Sequence, residues 1–115
     1  MIMNPETRFI EGINKLFPAL KSKLTEEADY FYIQLSLVEN RVTEAIRLHD
    51  LEKARHGFLL VLRLYREGNE ETKSLIDTGF VEGVLSLLEP EDQRLGYSLM
   101  PKKFQELYTV FWDNF

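Results

Sequence analysis

No cysteine occurs among the 115 residues of the chain. Disulfide bonds, thiolate nucleophiles and cysteine-ligated zinc sites are therefore excluded, and the absence suits a reducing cytoplasm. The longest uninterrupted apolar run, residues 58–62, is far shorter than the roughly 20 residues that a membrane-spanning helix needs. The N-terminal residues lack the basic start and apolar run of a signal peptide. We therefore expect a cytoplasmic protein that makes no membrane contact.

Glycine and proline are also scarce, with six and four residues. A chain dominated by loops or low-complexity sequence would contain more of both. Apolar residues make up 44% and charged residues 29%, which is ordinary globular usage. Because 115 residues fall within the usual size of one folding unit, we expect a single domain over residues 1–115.

Helical periodicity and capping residues predict the first half of the fold. Asn4 before Pro5 marks the start of a first helix, and Pro18 its end. Thr25 marks the start of a long second helix that ends at about residue 48. A third helix, about residues 50–67, begins at Asp50 and ends before Gly68. Its body is apolar on nearly every side, which is typical of a central helix.

The second half of the chain carries weaker signals. Asn69 predicts the start of a fourth helix that stops near Thr78-Gly79, and a short fifth helix covers about residues 81–88. Residues 91–100 are expected to be irregular, and a last, aromatic helix follows from Pro101. No segment alternates apolar and β-branched residues with a period of two. The sequence therefore predicts an all-α fold, an irregular bundle of five or six helices around the central helix.

Motifs of known chemistry are absent from the sequence. It contains neither a glycine-rich phosphate loop nor a nucleophile elbow. The two histidines, His49 and His56, lie two helical turns or about 10 Å apart, too far to share a metal directly. Glu52 could join them, but a transition metal would still need ligands from another helix. We therefore expect no catalytic, cofactor-binding or metal-binding residue, and no enzymatic activity.

The charge of the chain is unevenly distributed. The net charge is −5, which argues against nucleic acid as the default partner. Residues 41–66 nevertheless carry six Lys and Arg against three Asp and Glu, whereas residues 67–92 carry eight acidic residues against one Lys. A basic middle and an acidic third quarter indicate two different candidate surfaces.

The first candidate surface lies on the third helix. At about 100° per residue, one sector of that helix collects its polar side chains around a single leucine. This sector is either a solvent-exposed strip whose side chains form ion pairs with one another or an arginine-rich binding face. Its candidate binding residues are Arg55, Leu59, Arg63 and Arg66.

The second candidate surface is the acidic third quarter. Its carboxylates either cap helices and solvate a loop, or form a patch that captures a basic partner. The candidate binding residues of this surface are Glu82, Glu89, Glu91 and Asp92.

The arrangement Gly68-Asn69-Glu70-Glu71, Leu75-Ile76 and Gly79-Phe80-Val81-Glu82 resembles a family of short, uncharacterised, all-helical bacterial proteins. Some of these look like immunity partners of toxins. The resemblance implies no catalytic residue.

The charge pattern, the absence of catalytic motifs and the resemblance together favour a non-enzymatic protein-binding domain. One example of such a domain would be an immunity-type protein that masks a basic partner. The alternative is an accessory or regulatory helical domain that contacts nucleic acid through the arginine strip. A homodimer is a further option, with the aromatic last helix as one possible contact.

Overall fold

The computed structural model describes residues 4–20 and 31–113. These residues form six α-helices and no strand, which confirms the all-α prediction. The helices are α1 (Pro5–Leu16), α2 (Phe31–Arg47), α3 (Leu51–Glu67), α4 (Glu70–Leu75), α5 (Pro90–Leu99) and α6 (Lys102–Asp113). A 3-10 turn over Pro18–Leu20 follows α1, and a π-helical segment over Ile76–Val81 continues α4.

Three of the predicted helix starts carry the expected side-chain cap. The Oδ1 atom of Asn4 accepts a hydrogen bond from the Thr7 amide at 2.7 Å. At the start of α4, Asn69 accepts from the Thr72 amide at 2.9 Å. The cap of α3 is longer, with Asp50 accepting from the Lys53 amide at 3.4 Å. Each cap satisfies an amide that the helix itself leaves without a partner. Thr25 lies outside the described residues.

Helix α3 is the centre of the fold, as its sequence predicts. It packs against α1, α2, α4 and α5. Phe58 and Val61 are fully buried, and the Phe58 ring meets that of Phe80 edge-on at 5.9 Å between centroids. Close approach of α2 depends on Gly57, because a Cβ atom there would lie 2.7 Å from Val42 Cγ2.

The predicted helix end at Thr78-Gly79 is wrong. The chain keeps winding through these residues in a π-helical segment, which places one extra residue in a turn. The wider turn lets Ile76, Phe80 and Val81 all reach the core. The predicted fifth helix over residues 81–88 is also wrong, because the chain leaves the helix after Gly83 and continues in turns.

The prediction of an irregular stretch over residues 91–100 is wrong as well. Pro90 occupies the first turn of α5, and the acidic residues Glu91 and Asp92 follow it there, where they complement the positive end of the helix dipole. Gly96 lowers the helix propensity, yet it is buried where a Cβ atom would collide with Leu85 Cδ2. Tertiary packing therefore overrides the local cost of this glycine.

Helix α6 closes the bundle at its C-terminal end. Phe104 is fully buried and Tyr108 partly so, whereas Val110 and Trp112 are exposed. The face predicted for this helix consists of Phe104, Leu107, Tyr108, Phe111 and Phe115. Phe104 is therefore a core contact, and Leu107, Tyr108 and Phe111 are half-buried. Phe115 lies outside the described residues. Among residues 4–20 and 31–113, no helix has the length and apolar character needed to cross a membrane.

Candidate functional site

The polar strip predicted on α3 is present at the surface. Arg55, Leu59, Arg63 and Arg66 are all exposed, as are Glu52 and His56. The other sides of the helix are buried against its neighbours. Leu59 is 49% exposed, so an apolar side chain stands uncovered among basic ones.

A groove between α1 and α3 runs beside this strip, and sequence reasoning did not find it. Its volume is about 500 Å³. The floor is apolar and is formed by Leu16, Leu59 and Leu60, while the rim carries Lys15, His56 and Arg63. Leu60 packs over Gly12, where a Cβ atom would lie 2.7 Å from Leu60 Cδ2. Only the packing of α1 against α3 brings Lys15 to the same rim as Arg63.

The charge around the groove is positive after its ion pairs are taken into account. Glu67 accepts two hydrogen bonds from Arg8 Nη1, at 2.9 and 2.8 Å, and lies 3.5 Å from Arg63 Nε. One carboxylate therefore serves two guanidinium groups. Lys15, Arg55 and Arg66 form no ion pair within the part of the chain that the structure describes.

The acidic candidates occupy different environments. Glu89 and Glu91 are exposed at the start of α5, whereas Glu82 is half-buried. Asp92 is also half-buried, and its Oδ1 atom lies 3.0 Å from His49 Nε2. Only Glu89 and Glu91 are therefore exposed and outside the ion pairs of the described residues. Between Glu82 and Glu89, Leu87 projects into solvent with 81% of its surface exposed.

Three polar side chains, two on α2 and one just after its end, contact this acidic segment. Thr43 Oγ1 donates a buried hydrogen bond to the Val84 carbonyl at 2.6 Å. The Glu39 carboxyl packs against Gly83, where a Cβ atom would lie 2.9 Å from Glu39 Oε2. Burial raises the pKa of Glu39 from its usual 4.5 to about 7. The third contact is that between His49 and Asp92.

At about 100° per residue, the sequence places six polar residues on one face of the second helix and predicts that this face is exposed to solvent. They are Asp29, Ser36, Glu39, Asn40, Thr43 and Arg47. For Thr43 the prediction is wrong because the side chain is buried, and for Glu39 because it is half-buried. Asp29 lies outside the described residues. Helical periodicity separates polar from apolar faces, but it carries no signal for a polar side chain that binds a distant backbone carbonyl.

His49 is the single described residue other than glycine with a positive φ, at 59°. The Asp50 amide donates to the Ala45 carbonyl at 2.8 Å and the His49 amide to the Ile46 carbonyl at 3.0 Å. This pattern is the Schellman motif, whose left-handed position usually holds glycine. Within residues 4–20 and 31–113, no group of three or more His, Asp or Glu side chains is placed to hold a metal ion.

Comparison with known proteins identifies a family. The sequence profile of the family described as Domain of unknown function (DUF7674) matches residues 10–113. The chain belongs to this family, and the match covers all six helices apart from the first five residues of α1. No curated protein and no solved structure shows significant similarity to the chain.

Proposed function

We propose that this chain is a non-enzymatic protein-binding domain whose contact surface is the α1–α3 groove together with the arginine strip on α3. The observation that carries the proposal is an apolar floor exposed within a basic rim. An apolar centre surrounded by polar groups is the usual anatomy of a protein interface. Arginine is also favoured at interfaces, since its guanidinium group pairs with carboxylates in a fixed geometry.

The charge of the rim specifies the partner's chemistry. The basic residues of this surface favour a partner segment that carries Asp or Glu around an apolar side chain. They are Lys15, Arg55, Arg63 and Arg66. Leu59 would serve as the apolar contact, and the carboxylates would set orientation and association rate. Near the groove the partner is therefore acidic.

An immunity-type role, in which the domain masks a basic partner, is a second form of this function. It would use Glu89 and Glu91, which are exposed, rather than Glu82 and Asp92, which are half-buried. Co-expression with the product of an adjacent gene and co-purification tests this role. Loss of the complex in the double variant Glu89→Lys, Glu91→Lys, but not in Leu59→Asp, would support it.

Nucleic acid is the competing ligand for the arginine strip. Binding through phosphate contacts falls steeply as the salt concentration rises, whereas a protein contact centred on Leu59 keeps its apolar contribution when its rim ion pairs are screened. We expect no binding of duplex DNA or of RNA even at low salt, because the net charge of the chain is −5 and Glu67 pairs with Arg63 of the strip. Salt-sensitive binding that is lost in Arg55→Glu, Arg66→Glu would instead assign the strip to nucleic acid.

Site-specific photo-crosslinking in the native host tests the groove directly. A benzophenone amino acid replaces Leu59 in one variant and Leu48, which is 70% exposed and outside the groove, in a matched control. We expect a discrete crosslinked protein from position 59 that is absent from position 48. Adding Arg63→Glu to the first variant should abolish the product. Equal products from both positions, or none from position 59, would contradict the proposal.

A further inference from the structure

Leu87 is the most exposed large apolar side chain of the described residues, at 81%. By contrast, the nearby apolar side chains of Val84, Leu85 and Leu88 are all buried. Leu87 therefore projects from a turn whose other apolar side chains anchor it to the core. Single exposed leucines are common on protein surfaces and need no explanation. A leucine that is held outward by buried neighbours on both sides is a stronger indication of a contact surface.

The turn that presents Leu87 is fixed by side-chain hydrogen bonds on both sides. Thr43 Oγ1 donates to the Val84 carbonyl at 2.6 Å, and Ser86 Oγ donates to the Gly83 carbonyl at 2.7 Å. Gln93 Nε2 donates to the Leu85 carbonyl at 3.1 Å. Because the backbone is held in this way, little conformational entropy remains to be lost when Leu87 binds a partner.

The charges around Leu87 complement those of the α1–α3 groove. Glu89 and Glu91 follow Leu87 in the chain and are exposed. Lys15 and Arg63 stand on the rim of the groove, whose floor is apolar. An exposed leucine with carboxylates beside it is the ligand that the groove is expected to bind, and this chain itself carries one.

We propose that the groove of one copy binds Leu87 of a second copy, with Glu89 and Glu91 facing Lys15 and Arg63. The inference rests on the proposed function in one respect, that the groove is a protein-binding site. Two copies that exchange this contact reciprocally form a closed dimer, whereas a one-way contact that does not close forms a longer chain. In both cases the mass in solution exceeds the 13.6 kDa of one copy.

Sedimentation of the full chain over a concentration series up to about 1 mM tests the proposal. We expect the average mass of the wild type to rise above 13.6 kDa with concentration. Leu59→Asp and Leu87→Asp should each raise the midpoint concentration about tenfold or more, because each removes one buried leucine from the contact. Leu48→Asp is the matched control and should leave the midpoint unchanged. Circular dichroism checks that all three variants stay folded.

Mixing the two disabled variants gives the decisive measurement. Leu59→Asp keeps its Leu87, and Leu87→Asp keeps its groove, so an equimolar mixture should associate at a lower concentration than either variant alone. A wild type that stays monomeric throughout, a mixture that associates no better than either variant, or an equal effect of Leu48→Asp would overturn the inference. A monomeric wild type that still crosslinks to a host protein from position 59 would leave the proposed function standing without the second copy.

Discussion

The two charged surfaces of this protein are held in place by different physical means. The arginine strip lies on α3, whose other sides are embedded in the core, so its position follows from the helix itself. The acidic segment over residues 82–92 consists of the end of a helical stretch, a set of turns and the start of α5. Its position depends on the buried side chains of Val84, Leu85 and Leu88 and, in addition, on contacts with Glu39, Thr43 and His49. The helical surface is therefore fixed by apolar packing, whereas the acidic segment adds specific polar contacts to its apolar anchors.

The largest effect should come from breaking the packing under the arginine strip. Phe58→Ala removes a fully buried ring and leaves a cavity between α3 and the π-helical segment. We expect the free energy of unfolding to fall by about 3–5 kcal/mol. Leu59→Ala, on the exposed side of the same helix, should change it by no more than about 0.5 kcal/mol. Chemical denaturation measures both, and similar losses would show that the strip is not at the surface.

The next effect tests the polar contact under the acidic segment. Thr43→Val keeps the side-chain shape but leaves the buried Val84 carbonyl without its donor, which should cost about 1–3 kcal/mol. Thr78→Val is the matched control, because its hydroxyl donates to the Ser74 carbonyl in an exposed position. Denaturation of both variants should show a clear loss for Thr43 alone. Equal losses of unfolding free energy in the two variants would mean that the buried Thr43 hydrogen bond stabilises the fold no more than the exposed Thr78 bond does.

A third prediction concerns pH. The pKa of Glu39 is raised by burial from 4.5 to about 7, so the folded state binds a proton more tightly than the unfolded state. The stability that the protonated carboxyl contributes is fully present below pH 4.5 and is lost as the pH rises through about 7.

Glu39→Gln replaces the titrating carboxyl with a neutral amide and should therefore remove the associated pH dependence of stability. Because the carboxyl is only half-buried, we expect a gain over the wild type of about 1–2 kcal/mol at pH 8 after allowance for solvent screening. At pH 4 the two proteins should be nearly equal. Thermal unfolding across this range measures the difference, and parallel curves for the two proteins would refute the assignment to Glu39.

The smallest effect is expected at His49, which follows α2 and contacts Asp92 of the acidic segment. His49→Gly relieves a left-handed conformation that costs about 1 kcal/mol but loses an exposed contact with Asp92 worth about 0–1 kcal/mol. We expect a net gain of about 0.5 kcal/mol, since glycine is preferred at this position of a Schellman motif. His49→Ala loses the contact without relieving the backbone and should be destabilised. A loss for both variants would mean that the Asp92 contact outweighs the strain.

Local signals predicted the starts of α1, α3 and α4 well and the chain from residue 78 to residue 100 badly. Asn4, Asp50 and Asn69 each cap the helix that the sequence assigned to them. Thr78-Gly79 was interpreted as a helix end, because a glycine after a threonine favours one locally. The chain continues through it because the π-helical turn brings Phe80 and Val81 into the core together. Residues 91–100 were expected to be irregular, although Pro90 and the acidic residues after it are themselves signals of a helix start.

Some features of the candidate surfaces could likewise be predicted from local sequence, and others could not. The exposure of Arg55, Leu59, Arg63 and Arg66 could be predicted, since it depends only on the 3.6-residue period of one helix. The groove could not, because Lys15 and Leu16 come from α1 and lie more than forty residues from Arg63 in the chain. Leu87 was likewise missed, since an isolated leucine in a leucine-rich segment has no pattern that marks it as exposed.

The sequence by itself determined that this protein is all-helical, that α3 is its central helix and that α3 presents one basic strip. These properties follow from periodicity and capping, which act within a few residues. Only the tertiary structure decided that α1 would complete a groove beside the strip and that Glu39 and Thr43 would turn inward to hold the acidic segment. Such contacts join residues that are distant in the chain, and their free energy exists only once the helices have packed.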